Sequence, residues 1–363
     1  MNTFVRLLYI SLASFILSSC HHIDEWEDSA HGNFDALWTI LDEHYCFFDE
    51  KEIDWDEIGE KYRARIVPGI TDQELFALCA EMIDELQDGH TNLISPFDIS
   101  YYDNWWTDYP QDFDIRVLQE HYLGFDYKVS SGIYYKIMPN NIGYIYYPSF
   151  SSTVGNGNLD WILSYLAACD ALIIDIRDNG GGQLTNIETF VRRFIHEPTL
   201  AGYIRHKTGP GHNDFSDPYP YYYKPAEQGR MTWHKPIALL INRSCFSAAN
   251  NFASVMKSLP NVTLIGSRTG GGGGMPFSAE LPNGWSIRFS ACPITDCNDR
   301  QIETGIDPSP GCEVHSLPED FALGRDPILD LPFNASPTNP HSSHSLHIKQ
   351  DRRSTPQNLR FSS

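Results

Sequence analysis

Residues 171–182 read ALIIDIRDNGGG, and the fold class turns on this stretch. Ala171–Ile176 is a nearly continuous apolar run that stops at Arg177, the pattern of a strand buried on both faces of a parallel sheet. Gly180-Gly181-Gly182 then breaks the run, and Leu184–Ile195 reads as a helix. Further along, Pro236–Ile241 is a second buried-strand run. Ser247–Lys257 follows as a helix with Ala248, Phe252, Val255 and Met256 on its apolar side, and Val262–Ile265 is the next strand. Strand, helix and strand in that order predict an α/β layered domain, taken here as residues 141–330. Towards the N-terminus, Tyr122–Tyr127, Ile133–Met138 and Ile142–Tyr147 predict strands and Leu159–Leu166 a helix. Ala279–Leu281 and Trp285–Phe289 predict a hairpin about Pro282-Asn283-Gly284.

Residues 24–95 read as a small helical domain. Phe34, Leu37, Trp38, Leu41 and Tyr45 recur at helical spacing. Thr71-Asp72-Gln73-Glu74 has the form of a capping box, and Leu75, Leu78, Cys79, Met82 and Leu86 would share the apolar face that follows. Residues 96–140 form an aromatic-rich connecting and β segment. Its Tyr101, Tyr102, Trp105 and Trp106 suit either packing between domains or the rim of a cleft. Residues 333–363 are rich in Pro, Ser, Asn and His, and that composition predicts a disordered tail.

The first twenty residues read MNTFVRLLYISLASFILSSC. Arg6 precedes an apolar run, Leu7–Leu17, that falls short of the roughly 20 residues a membrane span needs. Leu17-Ser18-Ser19-Cys20 resembles a bacterial lipoprotein cleavage box. The resemblance implies removal of residues 1–19, acylation of Cys20 and anchoring to the cell envelope, with the outer membrane expected because no aspartate follows Cys20. The plain alternative is a secretory signal with an incidental cysteine. A net charge of −21 repels phosphate backbones, and no basic stripe interrupts it, so nucleic acid is excluded as a partner. Of eight cysteines, Cys292, Cys297 and Cys312 cluster, and export would permit one bridge among them. Their loose spacing and the lack of a CxxC pair argue against zinc, and no metal or cofactor is expected.

The chemistry is expected where Arg243–Asn250 turns from strand to helix. A serine at the mouth of a helix can face a cleft, and the first-turn amides beside it lack partners. Ser247 therefore suits a nucleophile with Ala248 N–H as an oxyanion donor, while a serine there also suits a plain N-cap. Gly180, Gly181 and Gly182 let backbone amides come close to a ligand and could supply a second donor. The spacing of a dinucleotide fingerprint and the lysine of a phosphate loop are both missing. His90, in Asp88-Gly89-His90-Thr91, has the ordinary pKa of a general base, or it merely caps a turn. Glu303 could orient the imidazole or order the site, or be a solvated loop carboxylate.

Taken together, these segments resemble the S41 serine peptidases, the group of carboxyl-terminal-processing, tricorn-core and retinoid-binding-protein-like chains. Leu86–Thr91 is similar to the family's DGHT-type element, and Gly143-Tyr144-Ile145 through Phe150 to its GYI…F strand. Asp175–Gly182 is similar to its D-R-x-N-x-GG turn. Ser247-Ala248-Ala249, with Gly266, Thr269 and Gly270, resembles the nucleophile block, and Glu303–Pro308 and Gly324-Arg325-Asp326-Pro327 resemble its closing phrases. The likeness runs from Phe34 to Leu329. It implies a crotonase-like ββα layered catalytic domain, a peptide or unfolded-protein substrate, Ser247 as nucleophile, and Ala248 with a glycine of 180–182 as oxyanion hole. Thr269–Gly274 lacks the lysine that serves many members as base. The resemblance therefore points to the tricorn-like branch, with His90 as base and Glu303 as a further catalytic residue. Gly89 stands where that branch has serine, and Asn250 where many members have glutamate. Residues 96–140 are too short for the family's PDZ module, so no complete PDZ domain is expected. A non-catalytic protein binding apolar ligands or peptides, or another ester or amide hydrolase, would use the same scaffold.

Overall fold

The computed structural model describes residues 26–334. The signal segment, Cys20 and all of the tail after 334 lie outside the described residues. The N-terminal periodicity becomes three helices: α1 (Ala30–His44), α2 (Trp55–Arg63) and α3 (Asp72–Asp84). A capping box opens α3. Glu74 N–H donates to Thr71 Oγ1 and Thr71 N–H to the Glu74 carboxylate, satisfying two amides that helix geometry leaves unpaired. Leu75, Leu78, Cys79, Met82 and Leu86 are all buried.

The helices share their core with a distant hairpin. Phe34, Leu37, Leu41, Phe76 and Met82 form one apolar cluster with Leu281, Trp285, Ile287 and Phe289. That hairpin consists of β10 (Gly274–Glu280) and β11 (Ser286–Thr295), joined through Asn283 and Gly284, whose φ of +80° suits the turn. β11 also pairs antiparallel with β1 (Asn92–Ile94) and, at its far end, with β6 (Thr199–Ile204). β7 (Tyr219–Tyr223) completes this sheet of five strands.

The second sheet has six strands in the order β2 (Lys128–Ser130), β3 (Ile133–Met138), β4 (Ile142–Tyr146), β5 (Ala171–Asp175), β8 (Ile237–Ile241) and β9 (Val262–Gly266). β2, β3 and β4 run antiparallel, whereas β4, β5, β8 and β9 run parallel. Alternation along the strands assigns each face. Ile145, Leu172, Ile174, Leu239 and Leu264 pack under α4 (Asn156–Leu166), α5 (Leu184–Val191) and α6 (Ala248–Lys257). Tyr144, Tyr146, Ile173, Leu240 and Ile265 face the other way, onto Leu118, Leu123 and the α7 helix (Pro327–Asn334). Burial on both faces explains why these strands read as unbroken apolar runs.

This topology corrects the crotonase-like ββα expectation. The chain does not repeat a ββα unit. Between β5 and β8 it sends the β6–β7 hairpin to the other sheet, and β1, from the N-terminal segment, pairs there too. The result is a mixed α/β fold with two sheets. Two local expectations also change. Tyr122–Tyr127 is no strand: Leu118–Leu123 is a π-helical turn that ends at Gly124, with φ +64°. Leu118 and Leu123 bury into the core while the Tyr122 hydroxyl donates to Asp330 Oδ1 and accepts from the Asp326 N–H. Cys292, Cys297 and Cys312 are all free.

Candidate active site

Ser247 sits between β8 and α6 with φ 55° and ψ −118°. A non-glycine residue held there costs about 1–3 kcal/mol, a strain that surrounding bonds must impose. Ser247 N–H donates to Gly271 O at 2.8 Å and Phe246 N–H to Asn179 O at 3.1 Å. The Cys245 thiol donates to Ile176 O at 3.0 Å. The turn is thus bonded to both the Asp175–Gly182 segment and the glycine loop. Ser247 occupies the cap position of α6, yet its side chain makes no capping bond. Its Oγ lies 3.0 Å from His90 Nε2 instead.

His90 is buried, with 3% of its surface exposed. Its backbone N–H donates to Asp88 Oδ1 at 2.8 Å, which fixes the turn carrying the ring. Burial pushes the imidazole pKa down to about 4; the Asp88 charge opposes that shift, and Arg288 and Lys51 reinforce it. The ring is therefore neutral at pH 7, the state that accepts a proton. Nδ1 has no well-formed hydrogen bond, although the Gly274 backbone is near enough to favour the charged ring. Glu303 does not reach either nitrogen.

The expected oxyanion donors fall into two groups. Ala248 is the first residue of α6, so its N–H has no partner within the helix. Gly181 is pressed against it: a Cβ there would stand 2.9 Å from Ala248 N and 2.9 Å from Ser247 Cβ. Gly181 N–H, however, already donates to Asn179 Oδ1 at 2.9 Å. Gly180 and Gly182 donate no N–H bond among the described residues, and Gly182 lines the same cavity as Ser247. Ala248 N–H and Gly182 N–H thus lack an acceptor among the described residues, and Gly182 borders the Ser247 cavity.

Glu303 is buried and orders the glycine loop. Gly273 N–H donates to its Oε2 at 2.7 Å and Gly272 N–H to its backbone oxygen at 3.2 Å. Burial first, then Asp88, raises its pKa to about 7 against the pull of Lys51 and the Gly273 amide. Sequence reasoning missed Lys51. Its ammonium donates to Leu86 O and Gln87 O, each at 3.1 Å, and lies 3.2 Å from Glu303 Oε1. One side chain therefore ties the turn before His90 to the loop that holds Ser247. Lys51→Met is expected to lower kcat about tenfold to a hundredfold with little change in KM, because small misplacements of reacting groups are that costly. Lys51→Arg should restore part of the loss, and steady-state kinetics of the two variants check this.

Asn250 Nδ2 donates to Ile302 O at 2.9 Å and its oxygen accepts from Thr269 Oγ1 at 2.6 Å, so it staples the loop that carries Glu303. Trp105 stacks on Phe246 at 4.2 Å, and Phe246 lies 4.7 Å from the His90 ring. A Cβ at residue 89 would meet Trp105 Nε1 at 2.7 Å, which explains why glycine is needed there. Trp105 also lines a cavity of about 870 Å³ with Tyr109, Arg243 and Lys51. Ser247 opens instead into a separate cavity of about 190 Å³.

The family profile "Peptidase family S41" matches residues 141–309, and "Tricorn protease C1 domain" matches residues 27–84. The crystal structure of a candidate peptidase from Parabacteroides merdae is 46% identical, with a TM-score of 0.80 over 85% of this chain and 96% of that one. The chain belongs to peptidase family S41. Its mixed α/β fold is therefore the S41 fold, and the crotonase-like assignment falls with that match. The carboxy-terminal processing protease CtpA of Bacillus subtilis is 27% identical over 54% of this chain and 39% of its own length. A protein of Chlamydia trachomatis is 31% identical over 30% of this chain, and the match spans 15% of that protein. The chain thus spans well under two thirds of these curated relatives. The structure of mature CPAF shares the fold alone, at 14% identity and a TM-score of 0.61, over 82% of this chain and 94% of that one.

Proposed function

We propose that this S41 member is a serine peptidase acting through an acyl-enzyme on peptide or unfolded-protein substrates. The contact of 3.0 Å between Ser247 Oγ and His90 Nε2 carries the reading. His90 takes the hydroxyl proton as Ser247 attacks the scissile carbonyl. Ala248 and Gly182 amides hold the oxyanion at the positive end of α6. His90 then protonates the leaving amine, and water releases the acyl group. Asp88 and Glu303 hydrogen-bond to the backbone around the dyad and not to the ring, which feels Asp88 only through its charge. The imidazole facing the hydroxyl favours an enzyme over a protein that only binds apolar ligands. A fluorophosphonate should label Ser247, and His90→Gln should slow labelling by a factor of about 10³ or more. Equal labelling of both proteins would remove His90 from the mechanism.

The pH dependence follows from the two buried groups. Only the neutral imidazole is a base, so kcat/KM is expected to hold down to the region of pH 4, where the folded ring titrates. A pH–rate profile tests this; an acid limb centred near the ordinary histidine pKa of about 6.5 would contradict it. Stability has two opposed contributions. Between about 6.5 and 4 the unfolded chain takes up a proton that folded His90 excludes, so stability falls as pH falls. Between about 4.5 and 7 folded Glu303 keeps a proton that the unfolded chain releases, so stability falls as pH rises.

We also propose that the chain is exported and anchored through an acylated Cys20, on the support of the Leu17–Cys20 sequence. Among the described residues no helix is long and apolar enough to cross a membrane. Mass spectrometry of the mature N-terminus should find diacylglyceryl-cysteine, and an unmodified N-terminus at another residue would reject the anchor.

A further inference from the structure

The cavity that Ser247 opens into contains a charge that no carboxylate bonds among the described residues. Arg288 lies on β11, between Ile287 and Phe289, which turn into the N-terminal core. Alternation sends Arg288 to the opposite face, towards the site. Its Nη1 donates to His90 O at 3.1 Å and to Asn92 Oδ1 at 3.2 Å. Its Nε and Nη2 make no hydrogen bond, and no carboxylate pairs with it, among the described residues. Asp88, whose charge reaches it, has its oxygens engaged by His90 N–H and the Thr91 hydroxyl. Arg288 is the one charged side chain on the wall of that cavity; Leu184, Met275, Pro276 and Ile302 supply much of the rest.

We propose that Arg288 makes this cavity a carboxylate-selective subsite, so that preferred peptides carry a carboxylate beside the scissile bond. The inference rests on the peptidase reading of the same cavity. Holding His90 O and Asn92 needs only a donor, which a neutral amide side chain would supply. A guanidinium there is half-buried and also makes His90 a weaker base, a cost to the dyad that a neutral group would avoid. Two donors remain open in the planar fork that receives a carboxylate in bidentate fashion. A substrate carboxylate would neutralise the charge at this half-buried position. It could come from an acidic side chain or from the chain's own C-terminus, since both present the same two oxygens.

The test uses the full chain and synthetic peptides in matched pairs: Glu against Gln on either side of the cleaved bond, and a free against an amidated C-terminus close to it. kcat/KM of the wild type is expected to favour the carboxylate member of at least one pair roughly thirtyfold. The arm that responds identifies the source. Arg288→Gln should bring that ratio to about threefold or less, with Arg288→Lys between the two, since a point charge replaces the fork. Binding of the same pairs to Ser247→Ala, followed by fluorescence anisotropy, reads the preference without chemistry. Ratios near one in every pair, in binding and in turnover, overturn the subsite. Undiminished turnover by Ser247→Ala would overturn the peptidase mechanism instead, while the binding ratios still decide the subsite.

Discussion

Ser247→Ala is expected to lower kcat/KM by a factor of about 10⁴–10⁶ while leaving the fold intact. The size of the loss follows from what remains. Without the hydroxyl, the proposed oxyanion amides would still bind a carbonyl oxygen, but no covalent intermediate would form, and water would have to attack unaided. His90 keeps its anchors, because Asp88 Oδ1 bonds to its backbone N–H and not to its ring. Stability should barely change. Alanine retains the Cβ and therefore the strain at φ 55°, and the serine side chain makes no capping bond that could be lost. Ser247→Gly separates the two effects. It removes the hydroxyl and also the backbone strain, worth about 1–3 kcal/mol, so it should be as inactive as the alanine variant but melt at a higher temperature. Activity in Ser247→Ala within tenfold of wild type would take the nucleophile away from this position.

Much of this architecture could be read from the chain because it depends on local pattern. Ile133–Met138 is a strand with the same limits in sequence and structure, and the apolar runs at 171 and 237 form the parallel centre of the sheet. The proximity of Ser247 and His90 was legible only through motif likeness, since neither spacing nor propensity joins two segments so far apart. What could not be read depends on tertiary contact. β6 and β7 escaped notice because Gly202 and Pro220 weaken both as strands, and they form by pairing with each other and with β11. Lys51 sits in an ordinary polar turn and acquires its role only when the turn before His90 and the 303 loop close around it. Arg288 lies inside the predicted strand Trp285–Phe289, where the sequence assigns it no role. It faces a cavity because the glycine loop and the Ser247 turn lie across that side of the sheet.

Arg177→Met is expected to be the most damaging change away from the dyad, costing about 3–5 kcal/mol of stability. Arg177 is completely buried. Its Nε and Nη2 donate to Asp175 Oδ1 at 3.0 Å and Oδ2 at 2.7 Å, and its Nη1 to Asp326 Oδ1 at 2.8 Å. Tyr144 donates a further bond to Asp175 Oδ2 at 2.8 Å. Methionine matches much of the arginine stem but leaves two carboxylates facing each other without a cation in a dry interior. That desolvation, more than any lost attraction, is the source of the cost. For a domain whose total stability is about 5–15 kcal/mol, the loss brings unfolding within reach at ordinary temperature. The triple variant Arg177→Met, Asp175→Asn, Asp326→Asn should recover much of it, because no buried charge is then left unpaired. Activity should not recover in parallel. The ion pair joins the start of the glycine turn, at Asp175, to the C-terminal segment at Asp326, and that turn sets Gly181 against Ser247. Denaturant titration of both variants separates the effects. A single variant within about 1 kcal/mol of wild type would mean that the network is solvated and does not hold the turn.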